Sequence, residues 1–539
     1  MNILNPLVII AVPATLLLGG LPQANWANRH PVAMRVLVTG LAMASFVLSM
    51  IASLNLAFFG PQDFIFASFS NPLPISFGVY FDSLTAIMLL LVSFIGCIIS
   101  RYSQRYLDGE PTQGRFMKWI SFTLGAVLLM IVSNNLVMFT VAWMLTSLAL
   151  HQLLTHYRNR PSGMLAARKK FLYSRIGDSL LIAALVLTFK EFGTFEYSEI
   201  FRVAKMLASQ EASISWSVSS IGALYVLGAM TKSAQFPFHS WLPDTMETPT
   251  PVSALMHAGI INAGGFLVIR LSPLVSLSHL ALDFLALVGA FTALFGSIVM
   301  LTQTSIKRSL AYSTIAQMGF MMLQCGLGAF SAAVLHIVAH SLYKAHAFLS
   351  TGSVLDAAAR LELTPLRRLS MERDQVRSLS NLMIAATFAI GIHLAMSGLS
   401  GSHAIEKSGQ LILGMIMILA LTQLLWNALD SRQSTVILSS LTAAVMVSAS
   451  YFAAFSLFDY LLTTSVSHTH VSLSLWDKLI VAVVAIGFLG TFAVQVGGGR
   501  LRGSPILKIL YVHASNGFYI DIVANKFTAR FPKRFAPVK

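Results

Sequence analysis

Apolar runs of about 20 residues recur from one end of the chain to the other, and each is long enough to cross the hydrocarbon core of a bilayer as an α-helix. The runs are continuous rather than alternating. That excludes a closed barrel, the only other structure that satisfies its backbone in lipid. With 56% hydrophobic and 11% charged residues, the chain reads as an all-α polytopic membrane protein. Its segments number about 14–15 transmembrane helices at that length per span. A formal net charge of +15 would suit a nucleic-acid partner, but the basic residues sit in short loops between spans, where insertion orientation accounts for them. Cys97 and Cys325 lie far apart inside apolar segments, with no CxxC or Cys/His cluster for zinc or iron–sulfur. The apolar N-terminal segment lacks a basic n-region and a clear A-x-A site, so it reads as a first span.

The first two spans are Leu7 to Gly20 and Val32 to Phe59, and the proline-rich, alternating stretch Gly60 to Gly78 predicts a small hairpin at the membrane surface. Asp82 stands near the start of the third span, where it favours the helix macrodipole. Loops after odd-numbered spans carry Arg101, Arg105 and Arg115, then Arg158 to Lys170, then Lys307 and Arg308, then Arg360 to Arg377. Loops after even-numbered spans carry few basic residues, and in the longer one, Lys190 to Ser215, glutamates offset them. The positive-inside rule therefore places the N-terminus outside and the C-terminus, a basic and partly amphipathic tail, in the cytoplasm.

The stretch LGAMTKSAQFPFHSWLPDTMETPTPVSALMHAGIINAGGFLVIR, Leu227 to Arg270, breaks this regularity. An apolar helix ends at Lys232, Pro237 and Pro243 interrupt it, Glu247 follows, and a second helix carries His257. Lys232 can be read as a helix end snorkelling to the interface or as an intramembrane functional charge. The segment resumes instead of leaving the membrane, which favours the second. A later span, VLHIVAHSLYKAHAFLSTGSVLDAA, places His336, His340 and Lys344 on one stripe, about 12 Å long at 1.5 Å per residue. Histidine passes protons near neutrality through either ring nitrogen, so the stripe reads as a proton wire. Two histidines at i, i+4 also suit zinc, but Lys344 on the same stripe repels a cation and no carboxylate or cysteine is nearby in sequence. Two histidines hydrogen-bonded across a bundle is the remaining reading. Asp178, one turn from Arg175, and Lys307 with Arg308 extend the line of ionisable groups. Discontinuous helices are where secondary transporters place their ion sites.

TKSAQFPFHSWLPDTMETPTPVSALMHAG, SIKRSLAYSTIAQMGFM, LHIVAHSLYKAHAFLSTGSV and SRIGDSLLI resemble the antiporter-like membrane subunits of respiratory complex I and of Mrp cation/proton antiporters. FDSLTAIMLLLVSFIG, RYSQRYL, EFGTFEYSEI and NGFYIDIV are similar to the same family's other signatures. The resemblance implies two inverted five-helix repeats, each with a broken helix and a half-channel. Lys232 is then the central proton-carrying lysine, and His257, His336, His340 and Lys344 line the hydrated path, with Asp178, Glu247 and Lys307 beside it. The implied division is residues 1–115 for the first three helices and the outer hairpin, 116–273 and 280–428 for the two repeats, and 429–539 for the C-terminal helices and tail.

Two departures from that pattern matter. Met144 stands where these subunits usually have a glutamate paired with the lysine. The exit group of the second repeat falls in GIHLAMSGLSGSHAIEKSG, which offers His393, His403, Glu406 and Lys407 without a clear choice. Both resemble the membrane subunit of DAB-type systems, which accumulate dissolved inorganic carbon in bacteria. That resemblance implies an inner-membrane location and a large soluble cytoplasmic partner resembling β-carbonic anhydrases, with zinc in the partner and no cofactor in this chain. Ion flow, with protons as the expected ion, would then energise conversion of CO2 to bicarbonate in the partner, so this chain is expected to be a transporter subunit and not itself an enzyme. Mrp-like Na+/H+ exchange, complex I-like pumping, and a membrane anchor with a vestigial channel are the other readings. His468 and His470 are assigned no role.

Overall fold

The computed structural model describes residues 4–69, 74–209, 215–352, 375–399, 408–467, 475–501 and 504–530. Three helices, α1 (Leu4–Gly19), α2 (Ala24–Arg29) and α3 (Pro31–Phe59), lead into an antiparallel hairpin of β1 (Gln62–Phe69) and β2 (Ile75–Phe81). The hairpin expected from alternation is therefore present, with an irregularity between Ile65 and Ala67. α4 (Ser83–Tyr106), α5 (Gln113–Val132), α6 (Leu136–Leu154) and α7 (Pro161–Phe192) follow. Asp82 caps α4 by accepting from the Thr85 backbone N–H at 2.9 Å, and Asn135 caps α6 through Met138 at 2.8 Å. Gly193, at φ 68°, closes α7 in the left-handed conformation that glycine adopts freely. The loop read between Lys190 and Ser215 contains a helix, α8 (Tyr197–Ser209), which buries Tyr197, Ile200, Phe201 and Ala204 on one face.

α9 (Trp216–Lys232) ends where the sequence breaks. Ala234 takes φ 49° and the Gln235 N–H donates to the Met230 carbonyl at 3.1 Å, a Schellman-type closure made with alanine in place of the usual glycine. Short turns of helix, including α10 (Trp241–Asp244), bridge to α11 (Thr250–Ala258) and α12 (Ala263–Arg270). A further single turn, α13 (Ser272–Val275), precedes α14 (His279–Thr302), α15 (Ile306–Gly326) and α16 (Phe330–Leu349). Gly289 and Gly296 on α14 and Gly319 and Gly326 on α15 face the opposite backbone so closely that a Cβ would collide with it. Small residues at such a contact are how helices pack in lipid without a hydrophobic driving force. The remaining helices are α17 (Gln375–Leu399), α18 (Ser408–Asp430), α19 (Ser434–Leu462), α20 (Leu475–Leu501), α21 (Pro505–Ser515) and α22 (Ile520–Arg530).

Among the described residues, ten helices are long and apolar enough to cross a membrane, counting α11 and α12 as one. α9, α15 and α16 are not in that set. They carry Lys232, then Lys307 and Arg308, then His336, His340 and Lys344, while α7 and α11, which carry Lys170, Asp178 and His257, are within it.

Candidate functional site

Lys232 is buried at the end of α9 and reaches across to α6. Its Nζ donates to the Trp143 carbonyl at 2.9 Å, to Thr146 Oγ1 at 2.5 Å and to Ser147 Oγ at 3.4 Å, and it lies 4.0 Å from the centre of the Trp143 ring. Neutral oxygens and an aromatic face thus surround the ammonium on the helix that carries Met144. Asp178 is held instead by Arg175 at 2.6 Å, one turn away on α7, while the charges of Lys232 and Lys170 act on it from electrostatic range.

The sequence places Lys170 in a basic loop, and the structure corrects this. It is buried on α7 with Nζ donating to the Ser147 carbonyl at 3.0 Å, so Ser147 stands between two lysines. Lys169 is also buried, facing the broken segment.

From α9 the polar line continues into the second half. Ser233 Oγ donates to the Ile261 carbonyl at 2.6 Å, and the next residue, Asn262, donates to Ser341 Oγ at 2.8 Å. Ser341 adjoins His340 on α16. Lys344, fully buried, donates to Ser313 Oγ at 2.8 Å and to the Leu310 carbonyl at 3.3 Å. His257 Nδ1 lies 3.0 Å from Thr314 Oγ1, and its ring stacks on Phe348 at 4.4 Å. The His336 and His340 rings are 6.1 Å apart and face a cavity of about 430 Å³, which Gln317, Gln324 and Tyr451 also line. Neither nitrogen of His340, nor Nε2 of His336 or of His257, has a hydrogen-bond partner among the described protein groups. The lining is mostly apolar, and the unpaired ring nitrogens with Gln317, Gln324 and Ser313 are the polar groups that can hold ordered water there.

The other expected residues separate from this line. Lys307 is half-buried and its Nζ comes within 3.4 Å of Thr250 Oγ1, at the start of α11, so it stands at the margin. Glu247 is exposed; Arg160 bonds its backbone carbonyl at 3.1 Å, and its carboxylate joins no buried chain. His393 lies in the continuous helix α17, packed on Phe452 at 5.3 Å and against Gly414. His403, Glu406 and Lys407 lie outside the described residues. No group of three or more metal-binding side chains occurs among the described residues.

Residues 133–405, which contain most of this line, match the family described as NADH:quinone oxidoreductase/Mrp antiporter, TM. The chain belongs to this antiporter-like family. Residues 66–117 match the N-terminal part of complex I chain 5. Among its antiporter-like relatives, the "Probable inorganic carbon transporter subunit DabB2" of Halothiobacillus neapolitanus is 38% identical over 99% of this chain and 94% of its own length. The "Probable inorganic carbon transporter subunit DabB" of Hydrogenovibrio crunogenus is 31% identical over 99% and 96%. The chloroplastic NAD(P)H-quinone oxidoreductase subunit 5 of Acorus calamus is 30% identical over 86% of this chain and 62% of its own. The fold is shared with a chain of the Mrp complex from Dietzia sp. DQ12-45-1b, at TM-score 0.55 and 23% identity over 99% of this chain and 57% of that one. It is shared too with a chain of an archaeal membrane-bound sulfane sulfur reductase, at TM-score 0.57 and 18% identity over 96% and 99%.

Sequence reading missed Lys170, Asn262, Thr146 and Ser147. Asn262 left a signal, an amide inside an apolar helix, which hydrocarbon does not tolerate without a partner. Lys170 left none, because it stands in a run of cations that a cytoplasmic loop explains equally well.

Proposed function

We propose that this chain is the proton-translocating membrane subunit of an inorganic-carbon accumulation system. The observation that carries the translocation is the buried line from Lys170, Asp178 and Lys232 through Asn262 and Ser341 to His340, Lys344 and His257. Charges and unpaired imidazoles inside an apolar bundle are costly, and a chain that keeps them there is by default using them. The names of the two full-length relatives support inorganic carbon as the purpose.

In this reading the N-terminus faces outward, the basic loops and tail face the cytoplasm, and the bacterial inner membrane carries the gradient. The chemistry lies in a soluble zinc partner resembling a β-carbonic anhydrase, and one charge crossing 100 mV supplies about 2.3 kcal/mol to bias it. Lys232, with no carboxylate at Met144, is held in place by dipoles and passes its proton toward α11 and α16.

The test is Lys232→Ala in the assembled complex. Loss of carbon accumulation and of proton flux, with the complex intact, supports the reading. Unchanged flux with carbon accumulation intact overturns it, and absence of flux in both the parent and the variant leaves a membrane anchor.

A further inference from the structure

Lys170 and Lys232 meet at Ser147 inside the bundle, and His151 stands one turn further along the same helix, in the last turn of α6. In an α-helix the amide of residue 151 pairs with the carbonyl of residue 147. That Ser147 carbonyl is also the oxygen to which Lys170 Nζ donates at 3.0 Å, while Lys232 Nζ is 3.4 Å from Ser147 Oγ. Residues four apart share a helix face and helical side chains lean toward the N-terminal end, which carries the His151 ring back toward the turn where the two lysines meet.

On α7 the ring packs against Phe171 at 5.3 Å and comes close to the Ala167 backbone, two positions that bracket Lys170. His151 Nδ1 is nonetheless buried with no well-formed hydrogen bond among the described groups. An unpartnered buried nitrogen is costly to keep. Exposure falls along the series: His151 is partly exposed, whereas Lys232 and Lys170 are 7% and 3% exposed. α6 then ends at Leu154, and residues 155–160 follow with Arg158 and Arg160 exposed. His151 therefore lies at the end of α6 that the proposed orientation sets toward the cytoplasm.

We propose that His151 is the group through which Lys170 and Lys232 exchange protons with the cytoplasmic side. The inference deepens the proton-translocating reading above and rests on it. Once Lys232 has passed its proton on, a solvent proton adds to Nε2 of neutral His151, and the imidazolium releases the proton of its buried Nδ1 to the Lys170 amine. His151 is left neutral as the other tautomer. Lys170, now an ammonium, gives a proton across Ser147 to the Lys232 amine and is an amine again. Two ammonium groups at one serine repel each other, so the pair carries one such proton at a time. Release toward the cytoplasm runs the same transfers backwards. The charges that act on His151 are those of Lys170 and Arg175 from α7; on the α5 side Arg115 is engaged with the neighbouring Gln152, at 3.1 Å from its Oε1.

The experiment reads proton flux driven by a membrane potential in proteoliposomes holding the full complex, as parent, His151→Ala, His151→Phe and Lys232→Ala, each with and without free imidazole on the tail side. His151→Ala should lose about tenfold in flux, the equivalent of roughly 1.4 kcal/mol of barrier, and imidazole should restore it, because a free ring can occupy the vacated space and shuttle the proton. His151→Phe fills that space, so it should lose the same flux and gain nothing from imidazole. Parent-like flux in His151→Ala, with Lys232→Ala silent, overturns the role of His151 alone. A loss in His151→Ala that imidazole leaves unchanged means that the ring only packs α6 on α7, and overturns the proposal as well. Normal flux in Lys232→Ala overturns the path itself.

Discussion

Arg270, the last residue of α12, and Asp82, the cap of α4, form a buried two-pronged ion pair across the bundle, with Nη1 and Nη2 at 2.8 and 3.0 Å from the two carboxylate oxygens. Arg270 also donates to Thr85 Oγ1 at 2.5 Å and stands 5.1 Å from the Tyr80 ring centre. The pair fixes the far end of the broken-helix segment to the N-terminal spans. Removing one partner leaves the other charged and buried, so Asp82→Ala should cost about 3–5 kcal/mol. A lowered melting temperature in detergent would show it. The double change Asp82→Leu with Arg270→Met should recover much of the loss, because no unpaired charge remains.

Lys170 shares Ser147 with Lys232, so it stands beside Lys232 inside the bundle rather than in a loop, and on the proposed reading it belongs to the path. Lys170→Gln keeps a donor for the Ser147 carbonyl but removes the charge. Proton flux should fall about tenfold, the equivalent of roughly 1.4 kcal/mol of barrier, with little change in stability. Flux at the parent rate would return Lys170 to an anchoring role.

These two cases show what was legible in the sequence and what was not. Span lengths, the hairpin and the break after Lys232 follow from local chemistry, namely apolar run length, alternation and proline. His336, His340 and Lys344 share a stripe because helical spacing alone puts them there. Asp82 was read only as favouring the macrodipole, because its partner is 188 positions away and no local rule connects them. Lys170 and Glu247 were exchanged for a similar reason. A run of cations reads as a loop and an acid in the broken segment reads as lying beside the path, whereas tertiary packing buries Lys170 and leaves Glu247 exposed.

His340 has both ring nitrogens unpaired at the wall of the cavity of about 430 Å³ shared with His336. A proton crossing that space by way of water needs an imidazole that can accept on one nitrogen and release from the other. His340→Ala should reduce proton flux on the order of a hundredfold, in the range typical of a lost acid–base group. If the histidines instead held zinc, His340→Ala would lower the metal content of the purified chain. Parent-like flux would exclude the imidazole from the path.

Glu196 tethers the hairpin to the turn that precedes α6, accepting from Ser76 Oγ at 2.6 Å and from Asn134 Nδ2 at 2.9 Å. Burial raises the Glu196 carboxyl above the ordinary value of 4.5; the Ser76 hydrogen bond opposes the shift and the Asp63 carboxylate adds to it. Asp63, on β1, is raised by its own burial. For a carboxyl raised in the folded state, the stability it contributes is fully present below its unfolded pKa and is lost as pH rises through the folded value. The hairpin is therefore held most firmly in mild acid, and the tether weakens toward neutrality as two neighbouring carboxylates ionise. Glu196→Gln cannot ionise. Its melting temperature should fall less steeply than the parent's between pH 4.5, the ordinary glutamate value, and neutrality, whatever the substitution does to the absolute value through its altered bond to Asn134. Thermal unfolding of both proteins across that interval reads the difference in slope directly. Parallel curves would mean that Glu196 stays charged in the folded protein and that Asn134 and Ser76, not proton uptake, carry the tether.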